Sequence, residues 1–214
     1  MESKFISTPS GKFHAQVAGA GDPSTGSGRG VVLLIHGYSP AFNSWRTWQK
    51  NIAALAEQHR VYALDLLGYG ESDKPEPHPD AAFEAKALIE LMDAEKIARA
   101  VLIGLSWGGG IAQRIAATVP ARVVKLVLVD SASDATWLAK LGKQKIPTLI
   151  TWDEEDAVIP VEHAHALAQA LPHARLRIFT RAERNPDANP ENRHWSQETH
   201  ARVWNQVVTD FLKE

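Results

Sequence analysis

Cysteine is absent from the 214-residue sequence. That excludes disulfides, thiolate metal sites and a cysteine nucleophile together. Apolar runs stop well short of the roughly 18–20 residues that a membrane-spanning helix needs. Met1 to Phe13 is polar and lacks the apolar core of a secretion signal. An excess of one charge is missing too: 23 Lys and Arg stand against 25 Asp and Glu, a formal net charge of -2, mixed along the chain rather than blocked. Such a balance makes no field that draws a chain to nucleic acid or to an anionic membrane. The expectation is a cytoplasmic protein with no nucleic-acid partner and no membrane span, a monomer or a weak homodimer.

Apolar residues make up 44% of the chain and charged ones 22%, the composition of a globular protein with a sizeable core. With no internal repeat and no compositional break, residues 1–214 read as one domain. Continuous apolar runs stand out at Val31 to Ile35, Ala100 to Ile103, Val123 to Val129 (with Lys125 as the exception) and Ile146 to Trp152. Continuous rather than alternating apolarity marks strands covered on both faces, as in a parallel sheet. Val61 to Leu64 and Leu176 to Phe179 are weaker strand candidates, and Lys4 to Val17 reads as a hairpin around Pro9-Ser10-Gly11. Helical spacing runs over Ser44 to Gln58, Ala81 to Ala94, Gly109 to Val119, Val161 to Leu171 and Gln197 to Leu212. Pro120 and Pro172 supply two of the stops. Gly19 to Gly30, rich in Gly and Ser, reads as a flexible loop. Strand–helix alternation of this kind predicts a mostly parallel, doubly wound α/β sheet of about eight strands flanked by helices.

The chemistry concentrates at Gly104-Leu105-Ser106-Trp107-Gly108, directly after an apolar strand and directly before a helix. A G-x-S-x-G turn in that context is a nucleophile elbow: the chain reverses sharply, small residues on either side make room, and the serine hydroxyl projects from the carboxyl edge of the sheet. Acyl transfer builds negative charge on the substrate oxygen, so two backbone N–H groups must converge there. Trp107 supplies one amide. The loop after the first central strand, Ile35-His36-Gly37-Tyr38, supplies the other from Tyr38, with His36 organising the loop rather than acting as a base.

A nucleophilic serine needs a base, and the base an orienting acid. Downstream of Ser106, Thr151 to Pro160 holds four carboxylates after a buried strand. Asp156 is the chosen acid; Glu154 and Glu155 suit a solvated turn, and Asp130 at the end of the preceding strand is held in reserve. Among the late histidines, His163 and His165 fall on a helix surface and His173 precedes the last strand. His194, in the loop before the final helix, is the chosen base, with His200 in reserve.

Taken in order, His36-Gly37-Tyr38, Asp65 to Pro75, the Ser106 elbow, Leu128-Val129-Asp130, Trp152 to Pro160 and His194 to Leu212 resemble the α/β-hydrolase superfamily over essentially the whole length. The resemblance implies the α/β-hydrolase fold, a Ser106–Asp156–His194 triad and an oxyanion hole from the amides of Tyr38 and Trp107. It implies neither cofactor nor metal. A serine at the elbow argues against dehalogenase or epoxide hydrolase chemistry, where relatives place an aspartate. Three features depart from the pattern. Asp153 stands where the acid turn usually has glycine, and Arg193 where a glycine usually precedes the histidine. Only Ser131 to Lys145 occupy the place of a cap, enough for a minimal lid with one short helix. The default substrate is a small-molecule carboxylic ester, bound in an open cleft expected to be lined by Tyr38, Phe42, Trp107, Trp137 and Trp195. Trp45 is divided between that cleft and the core. C–C bond hydrolysis, perhydrolysis and acyl transfer on the same triad remain alternatives, as does a non-catalytic ligand-binding role.

Overall fold

A computed structural model describes residues 1–20 and 30–214. Most of the loop expected between Gly19 and Gly30 lies outside the described residues. The chain begins with a hairpin, β1 (Glu2–Thr8) and β2 (Gly11–Ala18), turning at Pro9-Ser10. It continues through β3 (Val31–Ile35), α1 (Ser44–Trp48), α2 (Ile52–Ala56), β4 (Arg60–Asp65), α3 (Ala81–Ala94), β5 (Ala100–Leu105), α4 (Trp107–Thr118) and β6 (Val123–Val129). After α5 (Ala135–Leu141) come β7 (Thr148–Asp153), α6 (Glu162–Ala170), β8 (Ala174–Phe179), α7 (Ser196–Thr199) and α8 (Ala201–Lys213).

The strands form one eight-stranded sheet in the order β1-β2-β4-β3-β5-β6-β7-β8. β1, β2 and β4 pair antiparallel and all later neighbours parallel. Every residue of β3, β5 and β7 is buried, as the apolar runs of β3 and β5 require; β7 also buries Thr148, Thr151 and Asp153. Alternate residues feed two cores. Val31, Leu33 and Ile35 pack with α3 and α4, while Val32 and Leu34 pack with Trp48, Leu55 and Trp204 on the opposite face. The chain winds from β3 to β4 on one side and to β5 on the other, so the carboxyl ends of β3 and β5 border the crevice where such sheets bind ligands.

Two expected helices are broken, each by a buried polar side chain. The segment from Ser44 divides at Gln49–Asn51, where the Asn51 amide donates to the Gln197 carbonyl and to Asn205 Oδ1, both at 2.8 Å. The C-terminal helix divides at His200, whose Nε2 donates to the Thr180 carbonyl at 3.1 Å and whose ring stacks on Phe179. β7 begins two residues later than its apolar run, because Pro147 has no N–H for the ladder and only its carbonyl bonds, to the Leu126 amide at 3.0 Å. Between β6 and β7 the chain makes the single short helix α5. Among the described residues no helix is long and apolar enough to cross a membrane.

Candidate active site

Ser106 joins β5 to α4 with φ 53° and ψ -120°, a left-handed conformation costly for any residue with a side chain. The surroundings hold it there. The Ser106 amide donates to the Val129 carbonyl at 2.9 Å, and its own carbonyl accepts from the amides of Gly109 at 2.9 Å and Ala132 at 3.0 Å. Glycine is needed on both sides. A Cβ at position 104 would stand 2.4 Å from the Gly108 carbonyl oxygen, and one at 108 would stand 2.4 Å from that of His36. Close approach of the two chain segments therefore brings the turn after β3 against the elbow.

His36 is fully buried, and its Nδ1–H donates to the Gly37 carbonyl at 2.8 Å while Nε2 accepts from the Leu66 amide at 3.1 Å. Burial lowers its pKa to about 4, so it is a neutral strut and not a base at ordinary pH. It fixes the turn that carries Tyr38. The Trp107 amide is the first of α4 and has no acceptor inside the helix. Among the described residues neither it nor the Tyr38 amide donates to a protein acceptor.

Asp156 sits in the turn after β7. Its Oδ1 accepts from the amides of Val158 at 2.8 Å and Ile159 at 2.9 Å, which leaves Oδ2 to accept from His194 Nδ1 at 2.8 Å. A carboxylate only accepts, so Nδ1 carries the proton and the Nε2 lone pair of the neutral ring is free. That Nε2 is buried and finds no hydrogen-bond partner among the described residues. Ser106 and His194 border the same cleft, although no hydrogen bond joins Oγ to Nε2. Such bonds are commonly long before substrate arrives.

The reserve residues are committed to other partners. His200 is sealed in the interior and committed to Thr180. His163, His165 and His173 are exposed and outside the cleft. Asp130, also fully buried, accepts from the Asp153 amide at 3.0 Å and the Ser196 amide at 2.8 Å, bridging the strand before the acid turn to the segment after His194. Burial first, and then the charge of Asp156, push its carboxyl up to about 7.

The cleft encloses about 610 Å³ and is bordered by Tyr38, Phe42, Ser106, His194 and Trp195. It departs from expectation at two tryptophans. Trp107 packs its ring edge-on against Tyr38, 5.6 Å between centroids, and is not among the lining residues. Trp137 lies on α5 outside the cleft lining, with Arg114 at 4.4 Å and Lys140 at 4.5 Å from its ring centroid, two cation–π contacts. Trp45, 45% exposed, belongs neither to the lining nor to the core. Arg46, Gln49, Val158 and Arg193 line the cleft without having been anticipated; exposed side chains carry no local signal of which surface they share.

Asp153, standing where glycine was expected, is accommodated by a partner that sequence reading missed. Its Oδ2 lies 3.0 Å from Arg184 Nη2, with the two side chains 1% and 13% exposed. Arg184 also donates to the Asn192 carbonyl at 3.0 Å, so one guanidinium holds the loop that delivers His194. Arg184→Ala leaves a buried carboxylate without its counter-charge, which costs about 3 kcal/mol. The expected result is a Tm lower by roughly 6–12 °C in a thermal melt; an unchanged Tm would show the pair to be dispensable.

Several known proteins are similar to this chain. Residues 30–145 match a family model described as alpha/beta hydrolase fold. The 2-hydroxymuconate semialdehyde hydrolase of Pseudomonas sp. (strain CF600) is 27% identical over 264 aligned positions, covering 88% of this chain and 89% of that protein. The alignment is longer than the 214 residues of the chain, so the Pseudomonas protein carries segments that are absent here. Epoxide hydrolase 4 of Mus musculus is 36% identical over 123 residues, 56% of this chain and 31% of that protein. Among solved structures, the meta-cleavage product hydrolase of Pseudomonas fluorescens IP01 superposes with a TM-score of 0.82 at 20% identity, covering 98% of this chain and 97% of that one. At that identity the likeness is one of fold.

Proposed function

The chain belongs to the α/β-hydrolase family, and from that premise we propose that it is a serine hydrolase of carboxylic esters, with Ser106 as nucleophile, His194 as base and Asp156 as orienting acid. The observation that carries this reading is the Asp156–His194 pair, whose free Nε2 borders the same cleft as a serine held in left-handed backbone.

In this mechanism His194 Nε2 takes the Ser106 proton as Oγ attacks the ester carbonyl. Asp156 holds the imidazole tautomer and stabilises the imidazolium. The amides of Tyr38 and Trp107 receive the tetrahedral oxyanion. The alcohol departs with a proton from His194, and a water deprotonated by the same nitrogen cleaves the acyl-enzyme. No step calls on a cofactor or a metal.

We read residues 1–214 as a single domain in which Ser131 to Lys145 act as a short lid rather than a cap. An open cleft follows, and with it tolerance of the acyl group. Across p-nitrophenyl esters from acetate to octanoate, kcat/KM is expected to stay within about tenfold, because a closed pocket would discriminate by roughly tenfold or more for each methylene. A sharp preference for one bulky acyl group would contradict the open-cleft reading.

The similarity to 2-hydroxymuconate semialdehyde hydrolase favours a second reading, C–C bond hydrolysis on the same triad. Offering the enzyme a vinylogous diketone beside the ester panel separates the two. Ester turnover at least tenfold faster supports the first reading, and the reverse ratio supports the second.

A further inference from the structure

Outside the lining of the Ser106 cleft, at the antiparallel edge of the sheet, the structure repeats a nucleophile–base–acid relay. Ser3 Oγ lies 2.9 Å from His14 Nε2, and His14 Nδ1 lies 2.8 Å from Asp65 Oδ2. None of the three borders the cleft.

Strand register builds the row. Phe5 pairs with His14 across β1 and β2, and His14 pairs with Asp65 across β2 and β4. Ser3, two residues before Phe5, is the diagonal neighbour of His14 on the same face. His14 and Asp65 are each 2% exposed, while Ser3 is open to solvent. The acid is tightly held. Asp65 Oδ1 accepts from the Ser44 amide at 2.6 Å and Oδ2 from the Glu71 amide at 2.9 Å. Gly70 lets the loop close on it, since a Cβ there would stand 2.0 Å from Oδ2. Burial by itself would raise the Asp65 carboxyl, but these hydrogen bonds hold it below its ordinary value, so it is an anion. His14 is fixed as well: its backbone amide donates to Ser72 Oγ at 2.8 Å, and its ring packs against Phe5. An anionic Asp65 puts the imidazole proton on Nδ1, and the neutral ring then accepts the Ser3 hydroxyl proton at Nε2. Glu71 Oε1, 68% exposed, lies 3.9 Å from the same nitrogen, too far to displace Ser3.

We propose that Ser3 is a second activated hydroxyl, one that accepts an acyl group from activated esters with His14 as its base and Asp65 orienting the imidazole. Base and nucleophile within bonding reach, with the base held by a third group, is the arrangement that activates a serine. Ser3 Oγ attacks the carbonyl carbon of an aryl ester while His14 Nε2 takes the hydroxyl proton. The bond from that carbon to the aryloxide then breaks, and the aryloxide leaves with the proton from His14, giving acyl-Ser3 and a phenol. Ser3 lies within a strand rather than at a helix N-terminus, so it lacks the amide arrangement around Ser106 and its acylation is a single-turnover event.

The test uses the full chain carrying Ser106→Ala, treated with p-nitrophenyl acetate and mapped by peptide mass spectrometry, with fragment ions separating Ser3 from the α-amino group. Ser7 is the internal control, exposed on the same strand and the same face. Ser3 is expected to acetylate about 100-fold faster than Ser7, within the range that a general base contributes. In Ser106→Ala/His14→Gln the Ser3 rate should fall to that of Ser7. Equal rates at Ser3 and Ser7 would overturn the proposal, as would an undiminished Ser3 rate in folded His14→Gln protein. If His14→Gln does not fold, the comparison within the single variant decides.

Discussion

Ser106→Ala is expected to lower kcat for p-nitrophenyl butyrate by roughly 10⁴–10⁶-fold, as removal of a triad nucleophile does elsewhere. The protein should remain folded, because the elbow is held by backbone bonds to Val129, Gly109 and Ala132 that alanine keeps. A residual rate above water is also expected, since the amides of Tyr38 and Trp107 and the cleft itself stay in place. If alanine at this position left kcat within tenfold of the original, the hydroxyl would not be the attacking group.

The second large effect separates two buried aspartates that lie within each other's field. Asp156→Asn should lower kcat by about 10⁴-fold, because an amide facing Nδ1 no longer enforces the tautomer that frees Nε2. Asp130→Asn should behave differently. Asp130 accepts two amides, from Asp153 and Ser196, and an asparagine oxygen serves one while its NH₂ opposes the other. Leaving one buried amide unpaired costs about 1–3 kcal/mol. The expected signature is a lower Tm with kcat reduced by less than about 100-fold. Steady-state kinetics and thermal melts of both variants check this, and the opposite ranking in kcat would move the acid from Asp156 to Asp130.

What sequence reading captured is local in origin. The β5–Ser106–α4 turn was legible because its apolar run, small flanking residues and serine are contiguous, and because glycine at 104 and 108 answers a steric demand that few other residues meet. The sheet was legible because strands buried on both faces are mostly apolar along their whole length, as β3 and β5 are. The helix breaks at Asn51 and His200 were not legible. Each depends on a partner far along the chain, the Gln197 carbonyl for one and the Thr180 carbonyl for the other, and helical periodicity carries no trace of either. Asp153 was legible only as an irregularity. Its pairing with Arg184 joins the acid turn to the loop before His194, and nothing in the run Arg181 to Asn192 marks one arginine for burial. Trp137 was misplaced for a related reason: an aromatic near the site by sequence is drawn to two cations on α4 and α5 rather than to the cleft. The row Ser3–His14–Asp65 needed the register of three strands before it could be seen at all.

The most direct measurement is reaction of the wild-type protein with a fluorophosphonate, following ester hydrolysis and site occupancy by peptide mapping in the same samples. The account predicts that activity falls in proportion to phosphonylation of Ser106, and that His194→Ala slows labelling at that residue. Full hydrolytic activity in protein whose Ser106 is completely phosphonylated, or complete inactivation with Ser106 unmodified, would contradict it.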